Sequence, residues 1–147
     1  MKPRLFHLIA QARQNLFRGA DRVFTESLDV SGTQVVALFA IKENPGCLLK
    51  DLAQVLQLQN SAITGLVTRM EDNGLIVKTP CAADGRASRL SISDAGAGVV
   101  ASAQPLLKSI NAQLLKGFTE QEVDTIARFL RHAIEIDFQR PPSPPSD

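Results

Sequence analysis

A glycine-stopped amphipathic segment, followed at once by two short alternating runs, is the feature that most narrows what this chain can fold into. In QNSAITGLVTRMEDNG, Ile63, Leu66, Val67 and Met70 share one helical face, while Asn60, Ser61, Thr64, Thr68 and Arg69 occupy the others. Gly74 can end that helix because glycine alone takes a left-handed conformation without steric cost. Leu75 to Thr79 and Ser88 to Ile92 then read as two strands joined by PCAADGRA, a hairpin with a loose tip.

The segments around this unit read as helices. Leu5, Leu8, Ile9, Ala12, Leu16, Ala20, Val23 and Phe24 recur at steps of three and four, predicting a helix from about residue 4 to 27 with Arg4, Arg13, Arg18 and Arg22 on its other face. Ser31 and Gln34 have capping-box spacing, so a second helix should follow and end before the turn tripeptide Asn44-Pro45-Gly46. Leu49, Leu52, Ala53 and Leu56 mark a short third helix, running to about Leu58. Ser93 is placed to cap a fifth, carrying Val99, Val100, Ala103, Leu106, Leu107, Ile110, Leu114 and Leu115, which Pro105 should bend or interrupt. Thr119-Glu120-Gln121-Glu122 is another capping box, and Val123, Ile126, Ala127, Leu130, Ile134 and Phe138 continue a sixth helix. The final PPSPPSD is too rich in proline to join it and is expected to be disordered. The fold expected is mainly α with a small β-hairpin: a winged helix-turn-helix over residues 31–93, flanked by helices in 1–30 and 94–140, with a tail at 141–147.

Composition sets limits on function. A chain of 147 residues suits one domain, burying roughly 68–70% of the surface its unfolded form exposes. A net charge of +1 gives no global basic field, so any affinity for nucleic acid must come from local placement. Two cysteines, Cys47 and Cys81, are too few for a disulfide scaffold, and MKPRLFHLIAQARQ lacks the apolar core of a signal peptide. With no run approaching the roughly eighteen apolar residues that a bilayer demands, a cytoplasmic protein with no membrane partner is expected.

Two readings fit the segment from 60 to 73. As a helix about 20 Å long it fits a DNA major groove about 12 Å wide, with the short polar side chains of Asn60, Ser61 and Thr64 near base edges and phosphates, and Arg69 further along against backbone. An amphipathic core helix with a polar outside fits equally. Three fit the arginines of DGRASRLSISDAG: a phosphate-binding loop, a hairpin tip that enters a groove, or solvated charge on a turn. As a wing, the hairpin would put Arg86 at the minor groove, whose negative potential favours cations. Arg89, nearer the strand, would bind phosphate or pair with Asp84 and so hold the tip in shape.

Other chemistries lack support. No glycine-rich loop precedes a lysine, and neither His7 nor His132 has a nucleophile or carboxylate partner that the spacing suggests, so no enzyme is expected. No C-x-x-C or H-x-x-x-H spacing exists, and neither a metal nor another cofactor is expected. Cys81 and Cys47 read as small, inert apolar residues, the alternative being an oxidisable thiol that re-aims the wing.

Asp84-x-Arg86, then Ile92-Ser93, then Gly96 resembles the MarR (multiple antibiotic resistance regulator) family of transcription regulators, and the resemblance spans nearly the whole chain. LKDLAQVLQLQNSAITGLVTRMEDNGLI is similar to the family's helix-turn-helix, with Leu52-Ala53, Leu58, Thr64, Val67, Arg69, Glu71, Gly74 and Leu75 at matching positions. The resemblance implies a homodimer formed by the first helix and the last two, and with it a pseudo-palindromic double-stranded operator. It implies a repressor relieved by a small, commonly aromatic anion bound between the dimerising helices and the winged domain. With no Tyr or Trp, such a pocket would draw on Phe17, Phe24, Phe39 or aliphatics, with Arg13 or His7 as anion partners. The chain departs from the family in having Gly65 where many members carry a basic residue, and in a sparsely charged wing. Both shrink the phosphate term, so binding should weaken early as salt rises. A winged-helix adaptor that binds a partner protein and little DNA is the alternative those departures motivate.

Overall fold

The computed structural model describes residues 2–83 and 85–139, and forms two compact units, Met1–Ile110 and Asn111–Asp147. The first holds α1 (Leu5–Leu28), α2 (Gly32–Glu43), β1 (Cys47–Leu48), α3 (Leu49–Leu56), α4 (Asn60–Asp72), β2 (Ile76–Pro80), β3 (Ser88–Ile92) and most of α5 (Asp94–Leu115). The second holds the end of α5 and α6 (Glu120–Glu135). No helix of the described residues is long and apolar enough to cross a membrane. The proline-rich tail and Asp84 lie outside the described residues.

Helix starts follow from local hydrogen bonding. Ser31 Oγ accepts the Gln34 N–H at 3.2 Å, and Asp21 Oδ1, reaching across from α1, accepts the Gly32 N–H at 2.8 Å. Two orphan donors are thereby satisfied, and a carboxylate sits at the positive end of the α2 dipole. Gln34 does not complete the expected box; its side chain is buried instead. Thr119 and Glu122 complete theirs at the start of α6, with both arms formed, at 3.2 and 2.8 Å.

The core lies where the apolar periodicities place it. Ile63, Leu66, Val67 and Met70 of α4 meet Val35, Leu38 and Ile41 of α2, Leu52 of α3, Leu75, Ile76 and Leu90 around the sheet, and Val100 and Ala103 of α5. Full burial of each larger side chain is worth about 1.5–3 kcal/mol, so this cluster is what fixes α4 in place.

The sheet has three strands in the order β1-β3-β2, all antiparallel, where the sequence suggested two. β1 pairs Cys47 with Leu90 and Leu48 with Arg89, and a two-residue strand is too short to alternate visibly. Gly46, at φ +80°, turns the chain into it and donates its N–H to Leu90 O at 2.8 Å. β2 is an edge strand, which accounts for Pro80 at its end: the missing N–H costs no ladder bond on the open side. Pro105 does not interrupt α5, which continues unbroken through it. Both Pro105 and Ala101, whose carbonyl loses its partner, are exposed, so water can satisfy the orphan oxygen.

A tight junction joins the sheet to α5. Ser93 Oγ accepts the Gly96 N–H at 3.0 Å and donates to the Gly74 carbonyl, while Ser93 N–H donates to Leu75 O at 3.1 Å. A Cβ on Gly96 would lie 2.1 Å from Leu75 O and 2.8 Å from an Ile92 side-chain carbon. Backbone cannot yield as a flexible side chain can, so Gly96→Ala should destabilise the fold by about 1–3 kcal/mol or more, read as a lowered denaturant midpoint. Gly98→Ala, where nothing lies within 4 Å, is the control and should hold or gain stability.

Candidate nucleic-acid interface

With Ile63, Leu66, Val67 and Met70 at most 3% exposed, the opposite side of α4 has nowhere to go but outward. Asn60, Ser61, Thr64, Thr68 and Arg69 are exposed there, and Gly65 is half-buried among them. At 100° per residue these positions form two adjoining columns, Asn60-Thr64-Thr68 and Ser61-Gly65-Arg69.

The N-terminus of α4 differs from its neighbours. Gln59 makes no side-chain cap and no acidic residue lies in the first turn, whereas α2, α3, α5 and α6 each begin on a side-chain acceptor from Ser31, Asp51, Ser93 or Thr119. Uncapped first-turn N–H groups at the positive end of a helix dipole suit an incoming anion.

Along the exposed columns the side chains are partly committed. Thr64 Oγ1 donates to Asn60 O at 2.8 Å, and Thr68 Oγ1 donates to Thr64 O at 2.8 Å. A Cβ on Gly65 would lie 3.3 Å from Arg69 Nη1, so the Arg69 guanidinium folds back over Gly65 toward the N-terminal half of the helix. The absence of a side chain at Gly65 is thus filled by a cation from one turn further on. Spacing along the helix puts Arg69 further along, and does not register this backward rotamer.

The wing stands beside this helix. Lys78 of β2 and Glu71 of α4 approach to 3.8 Å, a half-exposed pair worth at most about 1 kcal/mol. Cys81 N–H donates to Ala87 O at 3.0 Å and closes the base of the tip, where Arg86 is exposed and the Cys81 side chain is buried. The expected pairing of Asp84 with Arg89 falls on a residue outside the described ones. Arg89 does have a partner: its Nη1 donates to Gly46 O at 2.8 Å, tying β3 to the turn before β1. That 43-residue separation is why no local pattern announces the bond.

The residues suggested for an effector are dispersed by role. His7, Arg13 and Phe17 are exposed on α1, with the Arg13 guanidinium 5.3 Å from the centre of the Phe17 ring, while Phe39 packs partly buried against the core. A cleft of about 480 Å³ lies elsewhere, lined by Asn44, Gly46, Cys47, Asp51, Val55 and Arg89 among others. Among the described residues no three His, Cys, Asp or Glu side chains converge as a metal site would require.

The MarR family pattern matches residues 28–87, from the end of α1 into the tip of the wing. The HTH-type transcriptional repressor IacR of Pseudomonas putida is 25% identical over 126 residues, spanning 85% of this chain and 74% of that protein. Among solved structures, a SlyA-like transcription regulator from Listeria monocytogenes superposes with a TM-score of 0.80 at 27% identity, covering 92% of this chain and 89% of that one. A protein assigned as a MarR family transcriptional regulator from the same organism, complexed with a 26mer DNA, gives 0.78 at 27% identity with the same coverage.

One thiol in the cleft is testable now. Burial first, and the neighbouring Asp51 carboxylate second, push the Cys47 thiol above its ordinary value. Only the thiolate reacts, so at neutral pH alkylation of Cys47 by iodoacetamide should be slower than that of an exposed thiol. The rate should climb with pH past the point where an unperturbed cysteine levels off; a plateau below that point would refute the assignment. Capped helices, a three-stranded wing and an outward polar face on α4 agree with the family match: residues 28–87 carry the MarR family pattern, and the chain as a whole is similar to transcription regulators.

Proposed function

We propose that the protein is a homodimeric, sequence-specific DNA-binding regulator, acting as a repressor, in which α4 enters the major groove and Arg86 the adjoining minor groove. The observation that carries this reading is the uncapped, outward polar face of α4 beside a wing with an exposed arginine. In this reading Asn60, Ser61, Thr64, Gly65, Thr68 and Arg69 face the base edges and nearby phosphates. Arg89, already bonded to Gly46 O, contributes positive charge from the wall of the wing. The Listeria relative complexed with a 26mer DNA and the repressor IacR support the same reading.

Dimerisation is supported by what the end helices leave uncovered. Leu5, Leu8, Ile9, Leu16 and Phe17 of α1 are exposed, and so are Ile126, Phe129, Leu130 and Ile134 of α6. Apolar stripes of this extent at both ends of a small chain suit contact with a second copy. Residues 1–30 and 94–140 would serve that contact, and residues 31–93 the DNA. Two-fold symmetry then sets half-sites about one helical turn, roughly 34 Å, apart. Relief by a small aromatic anion would use the stacked Arg13 and Phe17, with His7 and Phe39 as further candidates.

The experiment is selection of bound duplexes from a random library at moderate salt, with wild type and Arg86→Ala in parallel and the oligomeric state measured on the same preparation. A dimer that enriches a pseudo-palindrome is expected, with the variant losing roughly 1–3 kcal/mol of binding. A dimer that enriches nothing would favour the protein-interaction adaptor, and a strict monomer at micromolar concentration would remove the basis for a palindrome.

A further inference from the structure

The hydroxyls of Thr64 and Thr68 are both spent on the helix itself, donating to the carbonyls of Asn60 and Thr64. A threonine Cβ offers three staggered positions, one of which crowds the preceding turn and falls to hydrogen. With Oγ1 held over the i−4 carbonyl, the remaining outward position goes to the γ-methyl. Both residues are exposed, one turn apart, on the face of α4 turned away from the core. That face therefore presents two methyl groups where its residue names suggest two hydrogen-bond donors. Gly65, beside Thr64 and with no side chain of its own, keeps the surface between the two columns low, and the Arg69 guanidinium borders it.

In the major groove a small apolar group has one distinctive counterpart, the C5-methyl of thymine; the other groups there are hydrogen-bond donors and acceptors. We propose that Thr64 and Thr68 read thymine C5-methyl groups by apolar contact, and are specificity-determining through their γ-methyls and not their hydroxyls. Hydrogen-bonded readout falls to Asn60, Ser61 and Arg69, which flank the methyl pair. The proposal rests on the DNA-binding reading above and narrows it to a chemical group on the base.

Deoxyuridine is thymidine without that methyl, with the same pairing and the same acceptor. Using a duplex recovered in the selection, each thymine of one half-site is replaced singly by deoxyuridine, and binding is compared for wild type, Thr64→Ser and Thr64→Val, with the same pair at Thr68. Wild type should lose about three- to fivefold in affinity at one or two thymines per half-site, the equivalent of one buried methyl-sized group. Serine keeps the hydroxyl and its bond to the backbone but lacks the methyl, so the serine variant should no longer distinguish the two bases at its own position. Valine keeps the methyl and lacks the hydroxyl, so it should distinguish them as wild type does. Equal wild-type binding to thymine and uracil duplexes overturns the proposal while leaving the DNA-binding reading intact, and so does a serine variant that still discriminates. Failure of wild type to bind any duplex overturns both. The wild-type arm needs no substitution in the protein, so a misfolded variant does not rescue the idea.

Discussion

Everything at the candidate interface depends on how firmly one face of α4 is held. Ile63, Leu66, Val67 and Met70 are sealed against α2, α3, the sheet and α5, and a helix clamped on one side by four such side chains cannot rotate without opening the core. The outward columns are thus set by packing energies several times larger than any contact they could make with a ligand. This leaves the outward face free to vary in chemistry, since Asn60, Ser61, Thr64, Gly65 and Thr68 contribute little to holding the helix.

A second constraint sets the wing. The Ser93 and Gly96 junction joins β3, the start of α5 and the turn after α4 at one point, through bonds to Gly74 O and Leu75 O and a contact that admits no Cβ. The wing and α4 are therefore mounted on the same backbone segment, Gly74 to Leu75. Arg89, bonded to Gly46 O, fastens the central strand, β3, to the β1 turn in the same way. The arginine tip is exposed beyond the Cys81–Ala87 bond.

Much of this was legible in the sequence wherever the signal is local. The capping residues Ser31, Ser93 and Thr119 mark helix starts because their oxygens bond within three residues, and Gly74, at φ +71°, marks a stop for an equally local reason. The core face of α4 follows from periodicity alone. What stayed hidden is either too short or too distant. β1 is two residues long, and the Arg89 bond spans 43 positions. Pro105 misleads because its cost depends on exposure, which a sequence does not state. At the candidate site the residues could be named, but their chemistry turned on rotamers: threonines that look like donors have given their protons to the helix, and Arg69 lies over Gly65.

The weak charge of the recognition surface and the bare apolar stripes at the chain ends are connected on the proposed reading. A net charge of +1, a neutral Gly65 and a thin wing leave each half-site short of the phosphate contacts that ordinarily dominate affinity. Adding cations would strengthen every site alike, and so raise affinity without raising discrimination. Joining two modest readers does more: once the first is docked, the second meets its half-site at a high effective concentration, and a mismatch in either half is felt by the whole complex. The affinity the wings lack is then supplied through α1 and α6, and only on DNA whose two half-sites carry the spacing that the dimer imposes.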